Sequence, residues 1–184
     1  GQHYVPVGHL PANARTGDDE AWSYVGTIDN NATTSELRFL ARVQSMAPGA
    51  EGEGYRAAFL KGVRYLLGAQ FPNGGWPQIY PLQGGYHDAL TYNDDALSSV
   101  VTVLAEVARR RDDYAFVPEA LAAKARAACD KAIRLILATQ VVVDGKRTIW
   151  GQQHDALTLA PAGARNFEPA ALASDESADL LIFL

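Results

Sequence analysis

Arg56-Ala-Ala-Phe-Leu-Lys-Gly-Val-Arg-Tyr-Leu-Leu-Gly-Ala-Gln70 and Arg126-Ala-Ala-Cys-Asp-Lys-Ala-Ile-Arg-Leu-Ile-Leu-Ala-Thr-Gln140 read as two copies of one helix. At an offset of 70, seven of the 15 paired positions are identical. Alanine-rich helices match by chance, so the helices alone carry little weight. The following residues decide the matter. After a four-residue insertion, Trp76-Pro-Gln78 faces Trp150-Gly-Gln152. Both copies then run through a long loop into an acid-headed helix, Asn93-Asp-Asp-Ala96 in one and Asp175-Glu-Ser-Ala178 in the other. Such a unit buries one face only on a neighbouring copy, and about three copies make a stable stack. The expected fold class is all-α, with helical hairpins forming an α/α toroid. The third hairpin has only its first helix before Leu184. The expectation is therefore an incomplete toroid lacking a C-terminal portion; a naturally short domain with a ragged end is the alternative.

Working outward, apolar spacing predicts a helix from Thr33, where Thr33 and Glu36 have capping-box spacing, to the residue before Pro48. Further helices are expected over about Tyr55 to Ala69, from Asn93 or Asp94 to near Arg111, over Pro118 to Thr139, and from Asp175 onward. Residues 1–30 read as irregular and 31–184 as one domain. The prolines and glycines of Phe71 to Pro81 argue against a regular element there. Short extended pieces are expected near 141–143 and 148–150, while Val141 to Lys146 has no clear reading.

Apolar residues are 48 % of the 184 and charged residues 20 %, the balance of a folded globular chain rather than a disordered one. No apolar run approaches the roughly 18 residues of a membrane span. The net charge of −5 and the absence of a basic block argue against nucleic acid as partner. One cysteine, Cys129, excludes an internal disulfide. Gly1 to Ala14 lacks the features of a signal peptide, and a processed chain would look the same.

Three stretches carry candidate chemistry. In Gln70-Phe-Pro-Asn-Gly-Gly-Trp-Pro-Gln-Ile-Tyr-Pro81, Trp76 and Tyr80 could stack on a sugar ring while Asn73 and Gln78 bind hydroxyls; alternatively, Trp76 plugs the core beneath the loop. In Tyr86-His-Asp-Ala-Leu-Thr-Tyr-Asn-Asp-Asp95, the adjacent Asp94 and Asp95 are either helix caps or, being more acid than a cap needs, cation ligands. The third stretch is Trp150-Gly-Gln-Gln-His-Asp155 with Ala164-Arg-Asn-Phe-Glu168. Here His154 is a base or a neutral hydrogen-bonding group, and Asp155 a metal ligand or its support. Arg165 either forks onto a substrate carboxylate or pairs locally with Glu168. His3, His9 and His87 lack metal-ligand spacing and read as surface or loop residues, and Asn31-Ala-Thr33, a glycosylation sequon, reads as a helix cap.

With Thr27 to Thr34 and Glu176-Ser177, these stretches resemble the family ten polysaccharide lyases, the all-helical pectate lyases, over nearly the whole chain from Ala21. The resemblance implies cleavage of de-esterified polygalacturonate by calcium-assisted anti β-elimination, in a monomer that is secreted or periplasmic. It places the calcium acids on Asp94 and Asp95, with Asp155 as a further acid. It places Trp76, Tyr86, Tyr92, Asn93, Trp150, His154 and Glu168 along the substrate groove. Arg165 is the arginine inside a matching motif and is taken as the substrate-facing catalytic candidate. The proton-abstracting arginine and its arginine partners are expected in the C-terminal part. The alternatives are an inverting glycosidase using Asp94 and Asp155 as acid and base, and a non-catalytic module that binds acidic polysaccharide.

Overall fold

The computed structural model describes residues 26–184, so the reading of residues 1–25, including His3 and His9, lies outside the described residues. Two helical hairpins dominate. Helix α1, Ala32–Met46, packs on α2, Glu53–Ala69. Helix α3, Ala96–Arg109, packs on α4, Glu119–Ala138. Helix α5, Ser174–Phe183, lies against α3, and residues of α1, α3 and α5 line one groove. Thus α1, α3 and α5 form one layer, with α2 and α4 outside it. The middle helix shows this: Leu97, Val100, Val101, Val103, Leu104 and Val107 are all fully buried because neighbours cover α3 on several sides.

The repeat is built into the hydrogen bonding. The last four carbonyls of a helix lack intrahelical partners. The indole of Trp76 donates to the Leu66 carbonyl at 2.7 Å, and that of Trp150 to the Ile136 carbonyl at 2.6 Å. Leu66 and Ile136 stand one repeat apart. The amides of Gln70 and Gln140 likewise donate to the carbonyls of Gly74 and Thr148, two residues before each tryptophan. The identities in the sequence mark one device used twice: a tryptophan from the loop plugs the core and satisfies the helix end.

A second repeat escapes the helix alignment. Thr27-Ile-Asp-Asn-Asn-Ala32 matches Thr91-Tyr-Asn-Asp-Asp-Ala96. Strands β1 (Gly26–Thr27) and β3 (Leu90–Thr91) each lead into two successive left-handed residues, Asn30 and Asn31 or Asp94 and Asp95, with φ between 51° and 59°. Asparagine and aspartate tolerate this conformation better than other side chains. The expected capping box is absent: Thr33 Oγ1 donates to the Thr27 carbonyl at 2.6 Å instead, and α1 starts one residue earlier. Helix α3 starts at Ala96, and neither Asp94 nor Asp95 caps it through its side chain.

Short ladders tie the loops together at the N-terminal ends of α1 and α3. Strand β2 (Ile79–Tyr80) pairs with β1, inside a stretch whose prolines argued against any strand. The segment without a clear reading is a hairpin of β4 (Val142–Val143) and β5 (Lys146–Arg147). Its turn, Asp144-Gly145, has both φ angles positive, the geometry that suits a two-residue hairpin. Strand β6 (Gln153–His154) lies between β3 and β7 (Pro161–Ala162).

Candidate active site

A cavity of about 200 Å³ lies where these ladders meet the N-terminal ends of α1 and α3. Both repeat units supply its walls in matching fashion. Asp29 and Asn30 come from the turn before α1, and Asn93 and Asp94 from the turn before α3. Gln78 and Gln152, which follow the two tryptophans, face it together with Gln153. Backbone bonds fix the frame: Ile28 N to Gln78 O and Tyr92 N to Gln152 O, both at 2.9 Å, occupy matching places in the two units. The Asn30 amide joins the two acidic turns by donating to the Asp94 carbonyl at 2.9 Å. Tyr86, Arg165 and Glu168 complete the mouth.

Three buried side-chain oxygens here have no hydrogen-bond partner: Asp29 Oδ1, Gln78 Oε1 and Gln153 Oε1. Such groups are costly to bury, so their gathering in one cavity points to a ligand. Asp29 is 5 % exposed, and its second oxygen accepts from Gln78 Nε2. Burial pushes its pKa up, the Gln78 bond opposes this, and the charge of Asp94 raises it further. A cation between the two carboxylates would relieve both penalties. Among the described residues no group of three or more His, Cys, Asp or Glu is placed to hold a metal. The donor set is instead mixed: carboxylates of Asp29 and Asp94 with the amide oxygen of Gln78. Calcium takes oxygens of both kinds, so these residues fit it.

Arg165 stands across the cavity mouth. Its Nε donates to Glu168 Oε2 at 2.8 Å and its Nη2 to Oε1, a two-pronged pair, while its Cζ lies 4.8 Å from the Phe167 ring centre. Glu168 pushes the Arg165 pKa further up, with smaller contributions from Tyr86 and Asp94. The arginine is thus a fixed cation facing an acidic wall.

Of the candidates from the sequence, Tyr86, Asn93, Asp94, Arg165 and Glu168 line this one cavity, and six others do not. Trp76 and Trp150 are fully buried plugs, not stacking platforms. Tyr92 is 2 % exposed, its hydroxyl paired with Thr139 Oγ1 at 2.6 Å. His154 is fully buried. Asp155 caps its own turn, accepting from the amides of Leu157 and Thr158 at 3.0 and 2.7 Å, and does not line the cavity. Asp95 faces a different groove, beside Asp179, because successive left-handed residues send neighbouring side chains to different sides. Asn73 is also structural, bridging Gly75 N and Ala156 O. The acidic residue missed outright is Asp29. Aligning Thr27 to Ala32 with Thr91 to Ala96 would have found it.

His154 carries a pH prediction. Its Nδ1 donates to the Leu159 carbonyl at 2.9 Å and its Nε2 accepts from the Gly151 amide at 3.1 Å, so the ring is held neutral. Burial lowers its pKa, with the Leu159 bond opposing; burial lowers that of His87 too. The unfolded chain takes up these protons near about pH 6.5 and the folded chain only below that. The unfolded state binds more protons there, so stability falls as pH drops through and below about 6.5. Thermal melts at about pH 7.5 and 5.5 are expected to show it, and His154→Gln to flatten the dependence.

The arrangement has the fold of the family 10 polysaccharide lyases. Such a lyase from Cellvibrio cellulosa matches all of this chain at 29 % identity with a TM-score of 0.82, over 67 % of its own length. An aspartate-to-alanine mutant of a family 10 lyase from the same organism, in complex with trigalacturonic acid, matches 86 % of this chain at 35 % identity with a TM-score of 0.81. This chain covers 49 % of that structure, about half its length. No curated protein matches significantly. The chain belongs to the pectic acid lyase family, whose model matches residues 8–184.

Proposed function

We propose that the cavity holds de-esterified polygalacturonate against calcium, and that the chain takes part in cleaving it by anti β-elimination. The observation that carries this is the meeting of unpartnered Asp29 and Gln78 oxygens, the Asp94 carboxylate and charged Arg165 in one cavity. Bound calcium supplies neutralisation of the uronate carboxylate, which makes the C5 proton easier to remove. Asp29, Asp94 and Gln78 would hold it. The need is physical, since a chain of net charge −5 repels a polyanion. Arg165, kept protonated by Glu168, donates rather than accepts: it forks onto a uronate carboxylate and stabilises negative charge developing beside it. A polymer of this size is met outside the cytoplasm, which favours a secreted or periplasmic protein.

The direct test is incubation with polygalacturonate and calcium. Elimination leaves a C4–C5 double bond that absorbs in the ultraviolet, and chelation should abolish the rise. New reducing ends without that absorbance would mean hydrolysis. The hydrolase reading is weakened because Asp155, its second carboxylate, does not line the cavity. Binding of trigalacturonate without any cleavage would fit either a binding module or a lyase whose proton-abstracting arginine lies outside these 184 residues, and the same assay on a chain of the relatives' length separates the two. Arg165→Lys keeps the charge but loses the fork. It is expected to weaken trigalacturonate binding by about tenfold, roughly the value of one charge-assisted hydrogen bond. Calorimetry would measure it, and unchanged affinity would remove Arg165 from the substrate contact.

A further inference from the structure

Gln153 occupies the middle strand of the β3–β6–β7 ladder, opposite Thr91 and Ala162. Successive residues of a strand face opposite sides. His154 accordingly enters the core, while Gln153 faces the cavity. The Gln153 side chain is 3 % exposed, and its Oε1 has no hydrogen-bond partner. The strand register thus holds a buried acceptor in a wall where an apolar residue would cost less. Unlike Gln78, it makes no hydrogen bond to Asp29. It shares the β6–β7 side of the cavity with Ala162 and Arg165.

An uncharged acceptor that is not tied to either carboxylate by a hydrogen bond suits a hydroxyl donor. A galacturonate in a 1,4-linked chain has two free hydroxyls, at O2 and O3. With its carboxylate engaged by the cation or by Arg165, the sugar turns ring hydroxyls toward the remaining wall. We infer that Gln153 accepts a ring hydroxyl of the bound sugar and so selects galacturonate without O-acetyl groups. The inference rests on the cavity being the galacturonate site. Acetylation replaces the O–H donor with an ester that can only accept, and it adds bulk at an enclosed position.

Calorimetry on the full 184-residue chain with calcium present tests this, using trigalacturonate and the same trimer acetylated at its ring hydroxyls. The unaltered chain should favour the unacetylated trimer by about tenfold, the worth of one hydrogen bond whose acceptor is otherwise left unpaired. Gln153→Leu should lose that preference by binding the plain trimer about tenfold more weakly. Gln153→Ala, which adds space, should also bind both trimers alike. Two readouts separate recognition from support. Gln153→Leu should melt no lower than the unaltered chain, and its titration with calcium alone should be unchanged. Retained preference in both variants, or equal binding of both trimers by the unaltered chain, would overturn the inference. If the unaltered chain binds neither trimer, the galacturonate reading of the cavity fails and this inference with it.

Discussion

Asp94→Asn and Asp29→Asn are each expected to lower calcium-dependent elimination by about 10²–10³-fold, the scale on which a positioned electrostatic group acts. Asparagine keeps the shape of each side chain and removes only the charge that holds the cation. The two substitutions should differ in stability. Asp29 is buried, and its pKa is raised by burial and by Asp94 despite the Gln78 bond. As asparagine it loses both penalties, so without calcium Asp29→Asn should melt at or above the unaltered chain. What it should lose is the rise in melting temperature that calcium gives, because a ligand stabilises only the state that binds it. Asp95→Asn and Asp155→Asn serve as controls. Asp95 faces another groove, and Asp155 closes a local turn. Neither should alter calcium affinity, and Asp155→Asn should lower the melting temperature only slightly, because asparagine can still accept from the turn amides. Calorimetry with calcium alone separates the four variants. Normal calcium binding by both cavity variants, or its loss in Asp95→Asn, would move the cation elsewhere.

That choice of acids shows how far the sequence could be read. The helices were legible because their apolar spacing is regular, and the hairpin order because Gln70 and Trp76 recur as Gln140 and Trp150. The Asp94, Arg165 and Glu168 part of the cavity was legible from clustered charge. Adjacency in sequence misled for Asp94 and Asp95. Two residues at φ 52° and 59° do not act as a pair on one helix face, and nothing in residue type announces successive left-handed residues. Asp29 was hidden for a related reason. Its partners are Gln78, 49 residues on, and Asp94, brought near through a backbone bond between two turns. The aromatic and histidine residues were misplaced because motif position says which loop a residue is on, not which way it points. Trp76, Tyr92, Trp150 and His154 lie under the loops that carry the polar residues of the cavity.

Trp76→Ala and Trp150→Ala are expected to destabilise the fold by about 3–5 kcal/mol each, the cost of emptying a large buried aromatic site. Both rings are fully buried, and each indole satisfies a helix-end carbonyl at 2.7 or 2.6 Å. A loss of this size is a large fraction of the stability of a small domain, so the alanine variants should be unfolded or nearly so at moderate temperature. Phenylalanine separates the two roles of the ring. Trp76→Phe keeps most of the apolar volume but leaves the Leu66 carbonyl without its indole donor, a cost of about 1–3 kcal/mol. Trp150→Phe should cost less, because the Ile136 carbonyl still accepts from Thr139 Oγ1 at 3.1 Å. Denaturant midpoints would measure this loss. The phenylalanine variants should stay folded in mild conditions and bind trigalacturonate with unchanged affinity, because neither ring reaches the cavity. The opposite pattern, full stability with weakened sugar binding, would restore the stacking role that residue type alone suggested. Equal losses from the two alanine variants would show something further. The two tryptophans stand 74 residues apart and cap carbonyls 70 residues apart. Matching energetics would mean that the repeat has kept the stability of each hairpin end while the polar residues of the loops above diverged.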